Sequence, residues 1–174
     1  MTANSVARRP ATLKRQPAGS AGIVPGSRTA RNDPRWPVLV AALEDLRSQR
    51  RHSVRIVDAD CGCGTLLIEA VRHARRIGFT AIEGRGIGGS SALLGRTRGA
   101  AARLHDPAIG LAFASEDLLH ALAQEAECPA DILLWHGDRN GDDPPGAAQA
   151  RAAAADLVIG DAAGYVHRLS LIHI

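Results

Sequence analysis

The chain of 174 residues reads as an α/β protein, a three-layer α/β/α sandwich with a mostly parallel sheet. Three observations predict this. Short apolar runs recur at intervals: VRIVD at 54–58, IGLAFA at 109–114 and DILLW at 131–135. Between them lie stretches with apolar residues at helical spacing. Gly, Ser or Asp punctuates each change of period. Strands alternating with helices of about 10–15 residues form βαβ units. Their right-handed crossovers place helices on both faces of one sheet.

Residues 1–32 mix Pro, Gly, Ser, Thr and Arg without periodicity and are read as a disordered basic tail. Residues 33–174 form the predicted domain. Asp33 can cap a first helix with Pro34 at its start; alternatively Pro37 marks the first turn. Leu39, Ala42, Leu43 and Leu46 share a face of that helix. Val54–Asp58 is the first strand, and Thr65–Ile77 a helix with Leu66, Leu67, Ala70, Val71, Ala74 and Ile77 as its apolar stripe and Gly78 as its stop. Phe79–Ile87 holds a second strand, interrupted by Gly84 and Gly86. Ser90 or Ser91 caps a helix to about Leu104. The third strand, Ile109–Ala114, leads to a helix capped by Ser115. After the fourth strand, Asp131–Trp135, the loop GDRNGDDPPG breaks the pattern. Ala147–Ile159 is expected to be helical, with a fifth strand from Tyr165.

Composition narrows the function classes. Charged residues make up 22% and hydrophobic residues 45%, which is ordinary for a globular protein. The formal charge is +3, carried by the tail (Arg8, Arg9, Lys14, Arg15, Arg28, Arg31, Arg35), and the remainder is slightly acidic. Such a tail can touch nucleic acid or an anionic surface, but a solvated tail is the simpler reading. No apolar run approaches the roughly 20 residues that span a bilayer, so no membrane role is expected. Lys14 is the lone lysine among 21 basic residues, a bias expected of a GC-rich genome. Three cysteines make no disulfide framework, and a cytoplasmic location is expected. Cys61 and Cys63 form C-x-C, and neither Cys128 nor His136 has ligand spacing to them, so no metal site is expected.

The stretch IVDADCGCGTLLIE, residues 56–69, lies where the first strand passes into the first βα helix. Ligands of such sheets bind at the carboxyl ends of the strands. Gly62 and Gly64 permit a tight turn and close approach, and the unpaired first amides of the Thr65 helix can receive an anion. A dinucleotide fingerprint needs glycine where Leu67 stands, and a phosphate-binding P-loop needs a Lys-Ser/Thr pair.

The string Val57-Asp58-Ala59-Asp60-Cys61-Gly62-Cys63-Gly64 resembles motif I of class I S-adenosylmethionine (SAM)-dependent methyltransferases, hydrophobic-D-x-G-C-G-x-G, with Asp60 in the place of the first glycine. The resemblance covers Val54 to Gly137. It implies a Rossmann-like methyltransferase fold, SAM as cofactor and methyl transfer to an acceptor that the sequence does not identify. A degenerate, non-catalytic binding module is the alternative. The implied cofactor residues are Asp58, which organises the loop around the methionine end, then Asp60, Cys61, Gly62 and Gly64. The acidic ribose ligand of the family falls at Gly88; Glu83 is the other candidate. Asp117, in FASED, would lie near the adenine, and Trp135 and His136 at the acceptor side. No catalytic residue is assigned, although His136 is the one candidate for a base or an acceptor contact. The family's sheet has seven strands in the order 3-2-1-4-5-7-6. Only four or five are legible, and the final LSLIHI resembles adapter read-through, so a sheet incomplete at its C-terminal end is expected.

Overall fold

A computed structural model of the chain describes residues 28–88, 90–136, 143–160 and 166–168. Most of the tail, residues 1–27, lies outside them. The elements run α1 (Arg28–Arg31), α2 (Trp36–Ser48), β1 (Ser53–Asp58), α3 (Thr65–Arg76), β2 (Ala81–Ile87), α4 (Ser91–Ala101), β3 (Ile109–Ala114), α5 (Leu118–Glu125), β4 (Ala130–Trp135), α6 (Ala147–Ala154), β5 (Ala155–Gly160) and β6 (Val166–Arg168). They build one sheet of order β3-β2-β1-β4-β5-β6. The first five strands pair in parallel, and β6 runs antiparallel to β5. The mostly parallel, three-layer architecture expected from the sequence is the one observed. No described helix is long and apolar enough to cross a membrane.

The β1 run is buried on both faces. Ile56 joins Leu67, Val71, Ile132 and Leu134 in a core under α2 and α3. Val57 joins Leu122, Leu133 and Val158 in a second core under α5 and α6. Two buried faces explain why strands of this kind read as continuous apolar runs rather than as alternations. Helix α3 buries Leu66, Leu67, Ala70, Val71 and Ala74 of the predicted stripe and also Ile68 and Glu69, while Ile77 is its cap residue and only partly buried.

Four expectations need correction. Residues 28–31 of the predicted tail form a helix: α1 lies against α3, and Arg31 pairs with buried Glu69 at 2.7 Å. Asp33 does not cap α2. Arg35 is the cap residue, Pro37 sits in the first turn, and Asp33 instead accepts the Arg35 amide at 2.9 Å. Ser115 does not cap α5; Asp117 does, accepting from the His120 amide at 3.0 Å. The predicted helix Ala147–Ile159 ends at Ala154, and Ala155–Gly160 is a parallel strand paired with β4. Ala155 turns to extended backbone in a single residue (φ −158°, ψ 154°). No Gly or Pro marks that change, and an alanine run favours helix. Pairing of Leu157, Val158 and Ile159 with β4 overrides the local preference. The strand expected at Tyr165 is therefore the sixth; its described part is Val166–Arg168.

The glycines of β2 are packing residues. A Cβ on Gly84 would lie 2.6 Å from Leu111 Cδ2 and 3.0 Å from Val71 Cγ1. On Gly86 it would lie 2.6 Å from the Phe113 ring and 2.9 Å from Cys61 Sγ. Gly86→Ala wedges a methyl between a ring and the loop below it. It should lower the unfolding free energy by about 1–3 kcal/mol, measured by denaturant unfolding; an unchanged midpoint would mean that the loop and ring separate freely.

Candidate functional site

Strand β1 pairs with β2 on one side and β4 on the other. The chain reverses direction across the sheet at this point, and the two crossovers leave a crevice at the carboxyl ends of the strands. The β1–α3 connection fills the floor of that crevice. Ala59 donates its amide to Leu134 O, and Cys61 to Ile87 O, both at 2.9 Å, so the loop is tied to both neighbouring strands. Gly64 N then donates to Cys61 O at 2.6 Å, closing the turn. Gly62 and Gly64 take left-handed backbone, with φ of 48° and 66°. Gly64 is also tightly enclosed: a Cβ there would lie 2.2 Å from Thr97 Cγ2. Gly62 faces open space, with nothing within 4 Å of a built Cβ. One glycine thus fixes the turn against α4, and the other leaves the backbone open to an approaching group.

A cavity of about 170 Å³ opens here, lined by Thr29, Ala30, Asp33, Arg35, Asp58, Cys61, Gly62, Cys63, Thr65, Leu66 and His136. Its most unusual group is Asp58. The side chain is 1% exposed, and Oδ1 has no hydrogen-bond partner among the described residues. Burial pushes its carboxyl up to about 7, against the opposing pull of the Arg35 charge and the Asp60 amide. Opposite it stands a clasp from the N-terminal segment. Arg35 binds Asp33 through Nε–Oδ1 at 2.9 Å and Nη2–Oδ2 at 2.8 Å, and its Nη2 lies 2.9 Å from His136 Nε2. A guanidinium only donates, so His136 accepts at Nε2. Burial alone would raise the Asp33 carboxyl, but the Arg35 contacts outweigh it and hold Asp33 below the ordinary carboxylate range.

Of the residues singled out in the sequence, the cavity gathers Asp58, Cys61, Gly62 and His136. Gly64 lies directly behind them. Gly88 follows the end of β2, and a Cβ there would lie 3.5 Å from Cys61 Sγ, so it borders the same loop. Asp60 is exposed on the turn. Glu83 is elsewhere. It pairs in register with Arg55 near the start of β2, its carboxylate 3.3 Å from Arg55 Nε. Five residues separate it from Gly88, about 16 Å of strand, so the two ribose candidates lie at opposite ends of β2. Asp117 serves as the α5 cap. Trp135 packs on the α5/α6 side, under the Arg151 guanidinium at 3.6 Å from the ring centroid. Cys61 is buried, and its thiol is pushed up to about 12 by burial and then by the charges of Asp58 and Asp60, so it is no nucleophile. Among the described residues no three His, Cys, Asp or Glu side chains converge on a metal position. Asp138 and Asp142 of the turn-rich loop lie outside the described residues, and Asp143 pairs with Arg151 at 2.6 Å.

Sequence reading missed Asp33 and Arg35 as cavity residues. Their signal was faint: an Asp two residues before an Arg, which reads as a helix start and gives no hint of long-range contact with His136.

Gly64→Ala should cost about 2 kcal/mol or more, from left-handed backbone and from the clash with Thr97. Adding Thr97→Ser removes Cγ2 and should restore part of the loss. Unfolding curves of the two single variants and the double variant test this, and strict additivity would show that Thr97 does not enclose the turn.

No protein-family model matches the chain, and no curated protein matches it in sequence. Solved structures do resemble it. MNMC2 from Aquifex aeolicus superposes with a TM-score of 0.50 at 15% identity, over 70% of this chain and 45% of that one. Human Methyltransferase-like protein 13, in complex with SAH, gives 0.48 at 10% identity, over 76% and 63%. A Listeria monocytogenes protein described as a candidate class I SAM-dependent methyltransferase gives 0.47 at 20% identity, over 60% and 30%. The chain spans less than two thirds of the length of each. At 15% identity the likeness to MNMC2 shows a shared fold and nothing finer. With its sheet order 3-2-1-4-5 and an antiparallel strand beside β5, the chain has the Rossmann-like α/β fold on which class I methyltransferases are built.

Proposed function

We propose that the crevice binds S-adenosylmethionine and that the protein transfers its methyl group to an acceptor. The observation that carries this reading is the buried, unsatisfied Oδ1 of Asp58 beside the open amides of α3. A carboxylate and a helix N-terminus side by side form a receptor for a zwitterion. The ammonium of an amino acid end would satisfy Asp58, and its carboxylate would meet the amides. The first turn of α3 holds no acidic side chain to compete. Motif I places a SAM-like cofactor at this same turn. Gly62 leaves room for close approach, and Gly88 stands where the ribose would lie. When bound, the cofactor supplies an electrophilic methyl. The chain's own residues need only hold it, align an acceptor and exclude water. His136 Nε2 already accepts from Arg35, so we assign no general base.

A binding module without turnover is the second reading. It rests on Asp60 at the glycine position of the motif and on the absence of a carboxylate at Gly88. Calorimetry with SAM and S-adenosylhomocysteine (SAH) tests the leading reading: both should bind. Asp58→Asn should weaken SAH by about tenfold or more, since a charged hydrogen bond contributes about 1.5–3 kcal/mol. Gly88→Asp should tighten it, because a Cβ there meets only ordinary contacts, 3.4 Å to Leu94 and 3.5 Å to Cys61. No binding of either compound would refute the proposal.

Asp58 also gives a pH prediction. Its folded-state carboxyl titrates near 7, against 3.8 ordinarily. The folded protein therefore holds this proton to higher pH than the unfolded chain. The resulting stabilisation is complete below about pH 4 and is lost as pH rises through 7. Asp58→Asn should stabilise the ligand-free protein by up to about 4 kcal/mol at pH 8 and by almost nothing at pH 4. An equal shift at both pH values would show that the effect is not ionisation.

A further inference from the structure

The cavity in front of Asp58 holds about 170 Å³, below the roughly 300–1,000 Å³ of ordinary ligand pockets. The N-terminal segment makes it small. Thr29, Ala30, Asp33 and Arg35 form one wall, and Ala30 and Arg35 are 2% and 1% exposed. One ion pair and one hydrogen bond hold this segment down. Arg31 clips it to Glu69 on α3, through Nε at 3.1 Å and Nη2 at 2.7 Å. Arg35, with Asp33, holds it to His136 at the end of β4. The two clips differ in their relation to the site. Glu69 does not line the cavity, whereas Arg35 does, together with Asp58.

A buried carboxylate needs a cation nearby. In this state Arg35 is the one arginine among the residues that line the cavity with Asp58, and Asp58 Oδ1 has no hydrogen-bond partner among the described residues. A ligand ammonium could supply the same charge with a hydrogen bond. We infer that residues 28–36 are a latch, in which Arg35 is a stand-in counter-ion for Asp58 that the cationic amino acid end of the ligand displaces on binding. This rests on the proposed SAM site and adds how that site opens. Nε and Nη2 of Arg35 are already engaged by Asp33 and His136, and almost none of the side chain faces solvent. Entry of the amino acid end therefore swings the segment off α3 and β4. The closed state lowers apparent affinity in proportion to its population.

The test is calorimetry of the full chain with SAH and with 5′-methylthioadenosine, which keeps the nucleoside but lacks the ammonium and carboxylate. Arg35→Gln should tighten SAH by about fivefold or more and change methylthioadenosine by less than twofold. Arg31→Ala, which loosens the latch at an exposed residue far from Asp58, should tighten SAH by about twofold and leave the melting curve cooperative. It serves as the second variant should Arg35→Gln fail to fold. Hydrogen exchange should show residues 29–35 losing protection when SAH binds. Weaker SAH binding in Arg35→Gln would make Arg35 a ligand contact and overturn the latch. So would equal tightening of methylthioadenosine, which would mean steric blocking alone, and so would gained protection of residues 29–35. Wild-type binding with no tightening in either variant sinks the latch and leaves the SAM site standing. SAH binding in none of the three proteins sinks the SAM site and the latch together.

Discussion

The β1–α3 turn is the constraint on which the rest of the site depends. Gly64 must adopt left-handed backbone there, and it does so with Thr97 and Phe113 packed against the place where a side chain would project. That contact sets how closely α4 and β3 approach the turn. It also aims the N-terminus of α3 across the end of β1, since Ile68 N closes the first helical bond onto Gly64 O at 3.0 Å. Gly86, one strand over, makes room for the same Phe113 ring and for Cys61. Cys61 is thus a packing residue in the floor of the crevice. The glycines and the cysteine of the motif do separate jobs that sequence inspection lumps together: enclosure, approach and filling.

Charges buried away from the crevice follow another logic. Glu125 on α5 is 1% exposed and is held by two strand arginines, Arg85 at 2.6 Å and Arg55 at 2.8 Å. Arg85 reaches on to Glu116 at 3.1 Å. The arginine-rich composition is put to use here, because a planar fork can bridge two carboxylates where an ammonium would act as a point charge. Removing one partner from such a network leaves a buried charge uncompensated, which is costly even where the intact network is close to neutral in energy. The network spans β1, β2 and α5, and it occupies the face of the sheet on which Glu83 lies. Glu83 belongs to that structural lattice.

The architecture was legible because its signals are local. Apolar runs of five or six residues separated by helical stripes specify parallel strands whatever the surroundings, and β3 was delimited to the residue. What escaped was set by tertiary contact. The passage from α6 to β5 has no turn residue, so nothing in the alanine run announces that Asp156–Gly160 will pair with β4. Of the candidate site, the contiguous part, Asp58 to Gly64, could be read, since one turn places all of it. Gly88 could be located because it ends a strand. The position of Glu83 at the other end of β2 could not be read, because spacing along a chain does not say at which end of a strand a residue lies. Asp33 and Arg35 were invisible for the opposite reason. Their role is defined by His136, 101 residues away in sequence from Arg35, and no local pattern encodes that.

Asp58 is a buried acid whose Oδ1 has no hydrogen-bond partner among the described residues, and that bears on the proposed function. The fold gains nothing from a carboxylate oxygen with no donor in the core: an asparagine or a serine would fill the same strand end without the penalty of ionisation. The other buried acids, Glu69 and Glu125, are each met by arginine within ion-pair distance. Asp58 is met instead by the Asp60 amide and by the charge of Arg35. Sequences that specify one structure satisfy their polar groups together, and the exceptions gather where a ligand completes the set. The unsatisfied oxygen, the helix N-terminus beside it and the open Gly62 turn lie within one small cavity, so a single zwitterionic group could resolve all three at once. That convergence separates Asp58 from a merely awkward strand end, and it is why the proposed site centres on the carboxyl end of β1.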